Sequence, residues 1–198
     1  RLGGGHGDDE IISRDQATEW FDVDHVGKSP SRFDFKKLEN LNGHYLREAD
    51  DTRLAMLISR KFGLAYEELP LLVRAMPELK ARAHNLNELA EGAEFLFAQR
   101  PLSPDEKAAA LLTDEARHYL ALAHAALAAA PQWEHDALDA AVREVAESNS
   151  LKLGKLAQPL RAALTGKATS PGIFDVLVLL GKDESLARIA DQVLEPNE

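Results

Sequence analysis

The chain has 198 residues and a formal net charge of −10, with 45% hydrophobic and 28% charged residues. This length supports one large hydrophobic core or two small ones. The longest apolar run, residues 120–131, is interrupted by His124 and ended by Pro131, so we expect no membrane span. The absence of cysteine excludes disulfides and thiolate chemistry, and the first ten residues lack a secretory signal pattern. We therefore expect a cytoplasmic protein, and a fragment, because residue 1 is Arg rather than Met.

Turn-forming residues and one helix cap divide the first half of the chain. Residues 26–32 have the sequence VGKSPSR, which favours turns, and residues 48–52 form a polar break. Asn85 is typical of a helix N-cap, and apolar residues follow it at a spacing of three or four up to Phe97. Helices are therefore predicted on both sides of these breaks.

A linker is predicted in the middle of the chain, where residues 99–104 contain two prolines. Ser103, Pro104 and Glu106 then stand in the order of a capping box, so a helix is predicted to begin there. The linker and the box separate an N-terminal from a C-terminal group of helices.

Further helices are predicted in the second half. Thr113 caps one that lasts until Pro131, and residues 134–147 have apolar side chains every three or four positions. Residues 173–180, IFDVLVLL, have a strand-like composition, but the Ser-Pro pair before them and the glycine after them favour a helix. Since no alternating strand pattern stands out, the predicted fold class is all-α.

A window without Asp or Glu runs from Ser148 to Phe174 in this acidic chain. Its cations are Lys152, Lys155, Arg161 and Lys167. Gly166 is predicted to end the helix that carries Arg161, and Ser170 and Pro171 to begin the next one. An arginine fork would then lie beside the free amides of a helix N-terminus, a receptor for anionic or carbonyl groups.

A second basic island lies nearer the N-terminus and consists of Lys28, Arg32, Lys36, Lys37, His44 and Arg47. Each island alone is also explained as a solvated helix face. Because salt screens charges beyond about 8 Å, a local cluster of cations outweighs the distant net charge. The two islands together favour a negatively charged partner such as a nucleic acid.

No catalytic or metal site is predicted. Residues 165–170, TGKATS, depart from a phosphate-binding loop, which needs Gly where Arg161 stands and Ser or Thr where Ala168 stands. His118 and His124 are six residues apart on one predicted helix and cannot face the same metal.

Several longer motifs carry a resemblance. Residues 151–181, LKLGKLAQPLRAALTGKATSPGIFDVLVLLG, resemble the helical C-terminal anticodon-binding region of bacterial glutamyl-tRNA synthetases, which are class I aminoacyl-tRNA synthetases. Residues 33–50, FDFKKLENLNGHYLREAD, are similar to the end of that family's stem-contact region. Residues 79–97 and 100–112 resemble the joint between its two helical anticodon-binding subdomains.

The resemblance implies an organisation and a function. Residues 1–48 would end the stem-contact region, residues 49–103 would form the first anticodon-binding subdomain, and residues 104–198 the second. The intact enzyme would be a ligase that charges tRNA(Glu) with glutamate, using ATP and Mg²⁺. The family's ATP-binding signatures are not found in this sequence, so we expect this part to be inactive alone and to hold no cofactor. The expected partner is tRNA(Glu), with no DNA or membrane, and the expected state is a monomer.

The resemblance also implies site residues. Arg161, Ser170, Pro171 and Ile173 match anticodon contacts of the family, and Arg82 matches the residue that reads the third anticodon base. Phosphate or stem contacts are expected from Lys28, Lys36, Lys37, Arg47, Lys152, Lys155 and Lys167.

Alternatives to these roles stay open. Pro171 and Ile173 also fit a cap and a core residue, and Arg82 also fits an exposed arginine without a role. A helical protein-interaction module, whose partner meets apolar faces such as that of Leu120 and Leu127, is the rival function.

Overall fold

A computed structural model describes residues 9–27 and 33–194 of the chain. Eleven α-helices and no strand occur in these two ranges, together with single 3₁₀ turns at Val23–His25, Tyr66–Glu68 and Glu94–Leu96. The helices are α1 Arg14–Trp20, α2 Phe35–Glu48, α3 Asp51–Phe62, α4 Leu69–Lys80, α5 Leu86–Ala93, α6 Glu106–Ala109, α7 Asp114–Ala129, α8 His135–Ser148, α9 Leu153–Thr165, α10 Ile173–Leu180 and α11 Lys182–Leu194. The all-α prediction is confirmed.

Most of the predicted helix ends are confirmed because they depend on local chemistry. The Asn85 side chain accepts hydrogen bonds from the first turn of α5, and the Thr113 hydroxyl accepts one from the first turn of α7 at 3.2 Å. The polar break at residues 48–52 contains Asp50, the N-cap of α3. Helix α9 ends at Gly166, which adopts the left-handed conformation with φ of 69°.

The capping box predicted at Ser103 is wrong. Helix α6 begins at Glu106, and its N-cap is Asp105, whose side chain accepts from Ala108 N–H at 2.8 Å. The backbone N–H of Asp105 donates to the carbonyl of Gly166 at 3.0 Å. This bond ties the start of α6 to the end of α9.

The first group of helices consists of α3, α4 and α5, which pack against one another, with α2 packed on α4. Their buried leucines come from apolar positions three or four apart, the spacing that puts side chains on one helix face. Leu72 and Leu89 are fully enclosed, and burial of a leucine side chain contributes about 2 kcal/mol.

The second group consists of α7, α8, α9, α10 and α11, which surround a leucine-rich centre. Leu120 and Leu127 both have an exposed fraction of 0%. The face of α7 that the sequence offered as a docking surface for a partner protein is therefore part of this core, and the rival interaction module loses its proposed contact.

The two groups meet where α10 packs on α4. At this joint the Arg74 guanidinium donates to the carbonyl of Leu179 at 3.0 Å. A single buried apolar cluster runs from Leu46 to Ile189 and includes residues of both groups. The boundary predicted at residue 103 lies in the segment between α5 and α6, and the subdomain limits stay predictions.

The described ranges contain no helix with the length and apolar character needed to cross a bilayer.

We predict opposite effects for two glycine-to-alanine substitutions in and after α9. Gly166→Ala puts a β-carbon on a left-handed residue, and we expect the free energy of unfolding to fall by roughly 1–2 kcal/mol. Gly154→Ala is the matched control, because Gly154 is helical with open space around it, and we expect a gain of about 0.5 kcal/mol. Urea unfolding measures both, and equal effects would contradict the assignment of strain to Gly166.

Candidate functional site

A groove of about 610 Å³ lies between the two groups of helices. Its first wall is made by the end of α4, the following turn and α5, and its second wall by the loop of residues 166–172 between α9 and α10. Arg82 lines the first wall, and Lys167, Ser170 and Pro171 line the second. We call it the arginine groove. It joins residues that the sequence places almost 90 positions apart.

Arg82 is exposed in the turn of residues 81–85, which hydrogen bonds hold on both sides. The Glu88 carboxylate accepts from the backbone N–H of His84 at 2.8 Å and lies 3.1 Å from its Nδ1. From the other side, the Asn42 amide of α2 donates to the His84 carbonyl. These bonds fix the backbone beside Arg82. The Arg82 side chain itself is exposed and accessible to a ligand, as a recognition residue requires.

Arg161 supports the second wall from within α9. Its Nε–H donates to Ser170 Oγ at 2.9 Å, and that hydroxyl donates to the carbonyl of Pro171 at 2.8 Å. The Arg161 side chain is half-buried behind the loop. This pair of hydrogen bonds fixes Ser170 at the edge of the groove.

Arg82 and Arg161 are close enough to repel each other. Burial lowers the pKa of the Arg161 guanidinium from its ordinary value, and the charge of Arg82 lowers that pKa further. An arginine nevertheless keeps its proton in a protein. No carboxylate in the described part of the chain forms an ion pair with either guanidinium. Arg82 at the groove and Arg161 behind its second wall therefore have no direct ion pair with a carboxylate of the described residues.

Hydrogen bonds also fix the loop of the second wall. The Gly166 carbonyl accepts from Asp105, and the Thr165 hydroxyl accepts from Lys167 N–H at 3.2 Å. At the other end of the loop, Asp175 brings a carboxylate into the first turn of α10, and a β-carbon on Gly172 would lie 2.2 Å from its Oδ2. The N-terminus of α10 is thus not the open anion receptor that the sequence predicted.

Carboxylates line the first wall beside Arg82, and the sequence analysis missed them. Glu78 of α4 and Glu91 of α5 face the groove with Glu94, which follows α5. Glu88, Glu91 and Glu94 recur every three residues, and this spacing on one face was the available signal. We call Glu78, Glu91 and Glu94 the acidic edge.

Two predicted site residues are buried. Pro171 is buried but still lines the groove. Ile173 is 5% exposed and belongs to the apolar core, which favours the alternative that it serves packing. An RNA contact by Ile173 stays a prediction.

Lys152 and Lys155 lie at the opposite end of α9 from the arginine groove. Helix α9 has 13 residues and is therefore about 20 Å long. The two exposed lysines line a second cavity of about 520 Å³ with Tyr119 and Gln158. The structure thus divides the acid-free window of the sequence into two separate basic sites.

The cations of α2 form a third site. Lys36, Lys37 and Arg47 are all exposed on this helix. Lys37 forms an ion pair with Glu10, whereas Lys36 and Arg47 have no carboxylate partner among the described residues. Lys28 lies outside the described ranges.

A family model described as "Anticodon binding domain" matches residues 37–193. The chain is 63% identical to glutamate–tRNA ligase 2 of Rhizorhabdus wittichii, an alignment that covers 98% of the chain and 42% of that protein. It is 58% identical to glutamate–tRNA ligase 2 of Zymomonas mobilis, an alignment that covers 98% of the chain and 41% of that protein. The chain spans about two fifths of the length of these curated relatives.

A crystal structure of a glutamate tRNA ligase from Elizabethkingia meningosepticum superimposes with a TM-score of 0.82. The match covers 97% of this chain and 39% of that one at 24% identity, and it bears on the fold alone.

We predict that Glu88 makes stability depend on pH. The hydrogen bond from the His84 backbone, with further bonds from the His84 and Asn85 side chains, lowers the pKa of Glu88. This stabilisation is present above the usual carboxyl value of 4.5 and is lost as the pH falls through the lower pKa of the folded chain. Because the carboxylate is partly exposed, we expect about 0.5 kcal/mol.

Urea unfolding of Glu88→Gln at pH 7 and pH 3 tests this. We expect lower stability at pH 7 and a smaller loss on acidification than in the unsubstituted chain. Glu91→Gln, on the same helix and exposed, is the matched control and should change neither quantity. An unchanged loss on acidification in Glu88→Gln would contradict the assignment.

Proposed function

This chain belongs to the anticodon-binding domain family, and we propose that it recognises the anticodon of tRNA(Glu) as part of a glutamate–tRNA ligase. The observation that carries the proposal is the arginine groove, which brings Arg82 on one wall opposite Lys167 and Ser170 on the other, with Arg161 holding Ser170 from behind. The guanidinium of Arg82 and the ammonium of Lys167 are hydrogen-bond donors, so the groove is suited to the oxygen and nitrogen acceptors of unpaired bases.

Arg82 reads the third anticodon base in this proposal. Cytosine presents two adjacent acceptors, its carbonyl oxygen and its ring nitrogen, which match the parallel donors of a guanidinium. Guanine presents ring N–H and amino donors on the equivalent edge, and these oppose the guanidinium. The third base is cytosine in glutamate anticodons and guanine in glutamine anticodons, so this position separates the two tRNAs.

The acidic edge gives the groove its preference for bases over phosphates. Carboxylates at Glu78 and Glu91 repel the RNA backbone and accept hydrogen bonds from exocyclic amino groups. Lys167 on the opposite wall attracts the backbone. A strand is therefore drawn to one side of the groove with its bases turned toward the other.

Phosphate contacts outside the groove supply affinity without sequence information. Lys36 and Arg47 on α2 suit the stem side of the tRNA, because both are exposed and free of carboxylate partners among the described residues. Lys152 and Lys155 at the far end of α9 supply a further positive site.

The remainder of the proposed enzyme would carry the chemistry. The chain spans about two fifths of the length of its curated relatives, and we propose that ATP and Mg²⁺ bind to other parts of the longer protein. We also propose that the protein is cytoplasmic and monomeric and does not bind DNA. The organisation into residues 1–48, 49–103 and 104–198 is part of the same proposal.

We predict that Arg82→Gln relaxes discrimination at the third anticodon base. The unsubstituted chain should bind a tRNA(Glu) transcript more tightly than the same transcript with guanine as third base, and Arg82→Gln should reduce that ratio at least tenfold, about 1.4 kcal/mol. Arg53→Gln, an exposed arginine of α3, is the matched control and should preserve the ratio. Equal weakening toward both transcripts by Arg82→Gln would make Arg82 a phosphate contact.

We predict different effects for the adjacent lysines of α2. Lys36→Gln should weaken binding of both transcripts alike and reduce the slope of log affinity against log salt by about one. Lys37→Gln should have a smaller effect, since Glu10 already neutralises Lys37. Filter binding across a salt series measures both slopes. A loss confined to one transcript would exclude the phosphate role.

A further inference from the structure

Arg188 of α11 is the largest fully enclosed side chain among the described residues, with 2% of its surface exposed. Its Nη1 donates to the carbonyls of Phe95 and Leu164, each at 2.8 Å, and its Nη2 donates to the carbonyl of Ala98 at 3.2 Å. Its Nε donates to Glu184 at 2.6 Å, one turn earlier in the same helix. One guanidinium thus joins three separate backbone positions.

These carbonyls lie beside the two walls of the arginine groove along the chain. Leu164 lies in the last turn of α9, two residues before Gly166, where the loop of the second wall begins. Phe95 directly follows Glu94 of the first wall, and Ala98 comes four residues after Glu94. Arg188 therefore connects the segment that follows the first wall with the segment that precedes the second.

A packing role does not explain this choice of residue. A charge in the interior loses its hydration, and an apolar side chain of similar volume often stabilises a core equally well. A lysine has a single terminal ammonium and does not reproduce the planar fork that meets carbonyls in several directions. The guanidinium of Arg188 lies between separate backbone segments and donates hydrogen bonds to each of them.

The next turn of α11 reinforces the same connection. Asp191 forms a two-pronged ion pair with Arg100 at 2.8 Å for both hydrogen bonds, and Gln192 donates to the carbonyl of Leu102. Residues 188, 191 and 192 are three and four positions apart and lie on one face of α11. That face braces the whole segment between the groove's first wall and α6.

We propose that Arg188 is a positioning residue for anticodon recognition, which fixes the separation of the two groove walls and thereby the placement of Arg82 relative to Ser170. This inference rests on the proposed function for its RNA readout. Arg188 itself does not contact RNA in this proposal, because its side chain is enclosed.

A distance measurement tests the spacer role without RNA. The chain has no cysteine, so Asn87→Cys on α5 and Gln158→Cys on α9 give two exposed sites for spin labels. In the doubly labelled chain, Arg188→Met and Arg188→Lys should broaden the distance distribution at least 1.5-fold. Glu184→Gln, which weakens the anchor of Arg188 from a partly exposed position, is a milder variant and should broaden it less.

Leu138→Ala in α8 is the control for general destabilisation, since it removes buried volume from a helix that does not line the groove. It should lower the melting temperature and leave the distance distribution unchanged. Unchanged distributions in Arg188→Lys and Glu184→Gln would overturn the spacer role.

Binding of the two transcripts supplies the second readout. At a temperature where all variants are folded, Arg188→Lys should reduce the discrimination ratio at least fivefold and leave the salt slope unchanged, whereas Leu138→Ala should preserve both. Retained discrimination in Arg188→Lys overturns the positioning role while the proposed function stands. Absence of discrimination by the unsubstituted chain overturns the proposed function, and the label distances still decide whether Arg188 sets the wall separation.

Discussion

The contact between α4 and α10 is the constraint on which the site depends, because it brings the turn of residues 81–85 opposite the loop that follows α9. Burial of apolar side chains across both groups of helices holds the two walls in place. Arg82 thereby comes close enough to the half-buried Arg161 for its charge to add to the lowering of the Arg161 pKa by burial. A perturbed ionisable group at a groove is typical of binding sites.

The distribution of charge reconciles a net charge of −10 with a polyanionic partner. The cations assigned to RNA contact lie in three separated sites on α2, at the start of α9 and around the arginine groove. Salt screens the remaining acidic surface beyond about 8 Å, so each basic site attracts the phosphates that lie close to it despite the net negative charge. The acidic surface in turn discourages RNA from binding anywhere else, and thus contributes to specificity.

Local chemistry was readable from the sequence, and long-range contacts were not. Asn85 and Thr113 were predicted as caps because each accepts hydrogen bonds from its own helix. The box at Ser103 failed because Asp105 caps α6 instead, in a position that a bond to the carbonyl of Gly166, some 60 residues later, helps to fix. Arg82 and the residues around Ser170 were predicted from motifs, but nothing in their spacing places them in one groove. The spacing of Glu88, Glu91 and Glu94 indicated one acidic helix face but not that it borders a groove, and no pattern in the sequence indicated the buried fork of Arg188.

The joint between the two groups of helices has a thermodynamic consequence for binding. The contact of α4 with α10 and the bond from Arg74 to Leu179 are formed when the chain folds, before any ligand arrives. The conformational entropy lost in bringing the two walls together is therefore already lost when the chain folds. Binding then costs the protein only its translational and rotational freedom and the freedom of its contacting side chains. Such a preformed receptor binds as a rigid surface, so the flexible partner, a single-stranded RNA loop, bears most of the conformational cost of the encounter.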